Sequence, residues 1–133
     1  MKLTPLRYLL LWDALLLFLL GAALILMPRE VQRVFQFKDL SPAISYILGL
    51  WGCVLATLAV GYFVAARDPV KHILWVQIGI ARGVLECIAG IVYLARGITS
   101  FQQSGLGIIL AGLIALAYIA FYPRQRDGAA LAV

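Results

Sequence analysis

The chain has 133 residues, of which 64% are hydrophobic and 13% charged, with a formal net charge of +5. Soluble domains carry about 45–50% apolar and about 25% charged residues, and a domain this small buries only part of its surface. A water-soluble fold is excluded. With lipid as the solvent, the backbone must satisfy its own hydrogen bonds in helices or in a closed barrel. The apolar runs are long and continuous and do not alternate, so the sequence predicts an all-α integral membrane four-helix bundle, a single domain over residues 1–133. Basic residues are scattered at segment ends and form no cluster interleaved with aromatics. They set topology and meet lipid head groups, and no nucleic-acid partner is expected.

The first span covers residues 6–27 and is closed by Pro28. Its start, "MKLTPLRYLLLWDALLLFLLGAALIL", has the basic opening of a secretory signal. The apolar run is too long for one, it contains Asp13, and no small-x-small site follows, so it reads as an uncleaved span. It is Leu-rich nearly all round, and much of it is expected to face lipid or another protein. The loop "PREVQRVFQFKDLSP" follows. Pro28 suits a first helical position, and Val31, Val34 and Phe35 recur opposite Arg29 and Arg33. A short interfacial helix and an ordinary loop both fit this stretch.

The second span, residues 43–66, repeats small residues every four positions: Ser45, Gly49, Cys53, Thr57 and Gly61. The third, residues 72–94, places Gly79, Arg82, Gly83, Glu86, Gly90 and Tyr93 on one face, because a helix turns about 100° per residue. His72 and Trp75 extend that line toward its start, while Ile78, Leu85, Ile88 and Val92 occupy the opposite face. Small residues allow close backbone approach in lipid, so these two spans are expected to pack tightly through Gly49, Cys53, Gly79, Gly83 and Gly90. The fourth span, residues 106–122, carries Gly107, Ala111 and Ala115 in the same style. Cys53 and Cys87 are isolated with no CxxC, and both read as buried structural thiols.

Arg82 and Glu86 stand four residues apart in an otherwise apolar run. Asp13 is the one acidic residue within the first span. Spans one and three run in the same direction, and at about 1.5 Å per residue Arg82 and Asp13 lie about 1.5 Å and about 5 Å to the N-terminal side of mid-span. A charge at the bilayer centre costs about 2.5–3.5 kcal/mol on insertion scales, so the groups must share their charge. The sequence thus predicts a buried Asp13–Arg82–Glu86 cluster in which either carboxylate balances the guanidinium. Two carboxylates to one Arg leave a surplus acid. Two readings stay open: a cluster that locks packing, and one whose spare carboxyl exchanges a proton or meets a ligand.

Other chemistry is sparse. His72 has no companions for a metal site; a head-group contact and single ligation of a pigment or haem both fit it. His72, Trp75 and Tyr93 are the candidate ligand contacts. No nucleophilic triad, phosphate loop or paired-carboxylate hydrolytic site is present, so neither catalysis nor a cofactor is expected. An even number of spans puts both termini on one side, with Lys2, Arg7, Arg67, Lys71, Arg124 and Arg126. The other side has Arg29, Arg33, Lys38 and Arg96. The bias of six against four favours cytoplasmic termini in the inner (cytoplasmic) membrane.

"LGLWGCVLATLAVGYFVAARDP" and "GIARGVLECIAGIVYLARG", in spans two and three, resemble the DoxX-like group of small four-span bacterial membrane proteins. That resemblance implies the fold and the membrane location. Small multidrug transporters also have four spans and a carboxylate in the first, but this chain lacks their surrounding pattern and carries Arg82. The functional expectation is an accessory or scaffold subunit of a larger membrane complex, or a homo-oligomer, working by lateral contacts. The alternative is a carrier of a lipophilic or cationic small molecule (a quinone, isoprenoid or drug) that uses the Asp13, Arg82 and Glu86 cluster.

Overall fold

A computed structural model of the chain describes residues 3–38 and 41–123. Lys2, Arg124 and Arg126, which contribute to the orientation bias, lie outside the described residues. The helices are α1 (Leu3–Leu26), α2 (Pro28–Val34), α3 (Pro42–Arg67), α4 (Ile73–Ala95) and α5 (Phe101–Ala120). All but α2 are long and apolar enough to cross a membrane, giving an all-α, multi-pass membrane architecture.

Local chemistry sets the helix ends. Ser41 accepts a hydrogen bond from the Ile44 N–H, and Pro42 occupies the first turn of α3. The Asp68 carboxylate accepts from the Lys71 N–H and closes the short turn into α4. Gly97, at φ +69°, ends α4, with its N–H on the Leu94 carbonyl and the Ile98 N–H on the Tyr93 carbonyl. Helix α5 begins at Phe101, five residues before the expected start. Ser100 and Gln103 form a reciprocal capping box there, which hydropathy alone does not register.

The 28–42 stretch does hold a short helix. Its buried face differs from the expected one: Val34 is 76% exposed, whereas Gln32 is buried against α1 and α3. The helix stops at Phe35, where Gln36 takes a left-handed backbone (φ 58°). The Gln36 carbonyl then accepts from Gln103 Nε2, which ties this loop to the start of α5.

The four long helices form two antiparallel pairs, α1 with α3 and α4 with α5, and contacts between the pairs are few. Gly21 and Gly52 bring α1 and α3 to backbone contact: a Cβ on Gly21 would stand 2.8 Å from the Gly52 carbonyl oxygen, and one on Gly52 would stand 2.7 Å from that of Gly21. Gly83 lies equally close to Ala111 and Ala115 on α5.

The expected seam between the second and third spans is therefore not the one formed. Gly49 faces open space and Cys53 is exposed, while Gly79, Gly83 and Gly90 all pack on α5, against Tyr118, Ala111 with Ala115, and Ile108. The buried line of α3 is Gly52, Leu55, Ala59, Tyr62 and Ala66, rotated by about 140° from the small-residue repeat. Helix α1 leaves much of its surface exposed, as its Leu-rich sequence predicts, although the third of its span that is buried exceeds the 11% of α4.

Candidate functional site

Asp13, on the buried face of α1, is 2% exposed and is the centre of the polar site. A single guanidinium nitrogen, Arg82 Nη2, donates to both of its oxygens, at 2.7 Å to Oδ1 and 2.8 Å to Oδ2. The Tyr118 hydroxyl of α5 donates to Oδ2 at 2.8 Å. Charge-assisted bonds of this length are strong, and in hydrocarbon they replace the water a carboxylate would otherwise need. The predicted Asp13–Arg82 pair is thus formed, across helices that share little other contact.

An aromatic layer lies beside it. The Arg82 guanidinium sits 5.4 Å from the centre of the Tyr62 ring, within cation–π range. Tyr62 stacks on Tyr118 with centroids 6.2 Å apart and meets the Trp75 indole edge-on at 5.6 Å. Trp75 fits because it lies over Gly61, where a Cβ would overlap the indole. Tyr118 fits over Gly79 in the same way. These side chains come from α3, α4 and α5, and with Asp13 of α1 beside them the layer joins the two pairs.

Glu86 departs from the predicted cluster. It is exposed, and among the described residues it has no hydrogen bond and no ion pair. It stands one turn beyond Arg82, on the wall of a cavity of about 560 Å³. Asp13 and Arg82 lie at the inner limit of this cavity. Leu16, Leu17, Trp51, Ser104 and Ile108 are also on its lining, so α1, α3, α4 and α5 all contribute. The cavity extends from the ion pair toward the ends of the helices near α2. Gly107 stands on its wall with open space where a side chain would lie, whereas Gly90, also on the wall, is covered by Ile108.

The other candidates are placed apart. The His72 ring nitrogen Nδ1 lies 3.1 Å from the Asp68 carbonyl, a contact within the turn itself. Tyr93 is half exposed and is not on the cavity wall. Trp75 belongs to the aromatic layer rather than to a ligand surface. Cys53 is exposed and Cys87 half-buried, so the expectation of two buried thiols is corrected. Among the described residues, no three His, Cys, Asp or Glu side chains gather as a metal site requires.

Tyr118 and Tyr62 belong to this polar site by geometry and are not among the residues expected from the sequence. A signal for Tyr118 exists: it lies three residues beyond Ala115 and so continues the face of Gly107, Ala111 and Ala115. Family models, curated proteins and solved structures give no match to this chain.

Proposed function

We propose that the chain holds a lipophilic small molecule within the membrane, without catalysis, in the cavity between its two helix pairs. The observation that carries this reading is the cavity itself: about 560 Å³, apolar walls, and a few polar groups converging at one end. Small-molecule sites have this size and this make-up. A quinone, an isoprenoid or a drug-like amphiphile is of the right class. Cytoplasmic termini, the inner membrane and DoxX-like kinship complete the proposal, on the basic-residue bias and the sequence resemblance given above.

An accessory role in a larger membrane complex is the second reading. It is favoured by α4, whose span is the least enclosed of the four and leaves Leu85, Ile88 and Ile91 uncovered. Co-migration with a defined complex in mild detergent is its expected signature.

Extraction tests the first reading. The protein is captured from its membrane in a lipid nanodisc, extracted with organic solvent and analysed by mass spectrometry. The parent should release a lipophile in near-stoichiometric amount. Gly107→Phe should release much less, because Gly107 lines the cavity with open space beside it. Identical extracts from both would remove the cavity from the function.

A further inference from the structure

With Glu86 ionised, charge inside the cavity does not balance. Asp13 and Arg82 neutralise one another, and Tyr118 completes the shell of Asp13. Glu86 remains, about 3 Å past the midpoint of α4, where an unpaired carboxylate is costly. Arg82 does not serve it, since no basic nitrogen of the described residues lies within 4 Å of its carboxylate. Its place on the cavity wall makes it accessible to whatever occupies that space.

We propose that Glu86 is the counter-charge for a bound ligand, and that this ligand is a lipophilic monocation: an amine or quaternary ammonium on an apolar body. The inference rests on the cavity reading above and adds the chemistry of the head group. A monocation brings the cavity to neutrality. An anion meets two carboxylates against one guanidinium, and a neutral guest leaves Glu86 unpaired. The walls suit the rest of such a molecule, with Leu16, Leu17, Ile108 and Ile114 for its body and the Trp51 ring available to its cationic end.

The test uses the whole chain in phosphatidylcholine nanodiscs, with binding to empty nanodiscs subtracted. Benzyltrimethylammonium is compared by equilibrium dialysis with neopentylbenzene, its uncharged carbon isostere. The parent should prefer the cation by about tenfold, the lower end of couplings measured for close charge pairs. Glu86→Gln should erase that preference while still binding the isostere, which also shows that the variant is folded. Gly107→Phe should lose both probes. Equal binding of the two probes by the parent overturns the inference and leaves the cavity reading standing, as does a preference that survives in Glu86→Gln. Failure of the parent to bind either probe overturns both.

Discussion

Along α1 and α3, Gly21 and Gly52 set main chain against main chain, whereas across the seam to α4 and α5 the contacts run through long side chains: Asp13 to Arg82 and Tyr118, and Tyr62 to Trp75. The two regions do different jobs. In lipid, no hydrophobic force separates helix from solvent, so close packing of small residues is what makes each pair cohesive. The seam has little of that packing. It is held by directional bonds to one carboxylate, by the Tyr62 contacts with Trp75 and Tyr118, and by the Gln103 bond to the Gln36 carbonyl, and beside them it leaves a cavity. The pairs are therefore rigid parts, and their mutual position depends on a few polar atoms.

Breaking the seam should have the largest effect. Arg82→Leu leaves Asp13 buried with only the Tyr118 hydroxyl, and removing one partner of a buried ion pair typically costs about 3–5 kcal/mol. Asp13→Asn should be comparably harmful. The sequence suggested a milder outcome with Glu86 as the substitute partner, but Glu86 is not within ion-pair distance of Arg82. The double change Asp13→Leu with Arg82→Met should recover much of the loss, since it removes both charges of the pair together. Denaturant titration in detergent reads all three. Full stability in Arg82→Leu would show that the pair holds nothing together.

Breaking a pair should cost somewhat less. Gly52→Leu drives a side chain into the Gly21 carbonyl and into Leu24 and Ile25 of α1; overpacking of this kind costs roughly 1–3 kcal/mol or more. Gly49→Leu, three residues away and facing open space, should stay within about 0.5 kcal/mol of the parent. Equal melting of the two variants would contradict the placement of the α1–α3 contact. Tyr118→Phe is a smaller perturbation of the seam. It removes one donor from Asp13 and should cost about 1–3 kcal/mol, measured by the same titration.

The smallest expected effect is a gain outside both regions. Gln36 holds a left-handed backbone that costs a non-glycine residue roughly 1–2 kcal/mol. Gln36→Gly should relieve it and keep the carbonyl that accepts from Gln103, stabilising the protein by up to about 1 kcal/mol. A loss of stability on this change would mean that the Gln36 side chain itself matters.

The four spans were legible because length and hydropathy are local properties of the chain. The Asp13–Arg82 pair was legible as well: helical rise placed both groups at one depth, and the cost of charge in lipid demanded a partner. Which helices pair was not. Small residues at four-residue spacing announce a close approach without naming the neighbour, and the repeat at Ser45, Gly49, Cys53, Thr57 and Gly61 sits about 140° from the face that α3 buries. Tyr118 was hidden for a related reason, since aromatics near a span end read as interface anchors until the opposing carboxylate is in view. Glu86 was assigned to the bundle by its spacing from Arg82. The cavity in front of it, open beside Gly107, is formed by four helices in three dimensions, and helical periodicity carries no trace of that.

A distance measurement tests the division into two pairs and one polar seam most directly. Spin labels at Val60 on α3 and Leu113 on α5, both exposed, report the separation of the pairs; labels at Leu85 on α4 and Leu113 report the inside of one pair. Pulsed dipolar spectroscopy in nanodiscs gives both distance distributions in the parent and in Arg82→Leu. The Val60–Leu113 distribution should broaden or shift in the variant while Leu85–Leu113 stays as narrow as in the parent. If both broaden together, or if neither changes, Asp13 and Arg82 are not what positions one pair against the other.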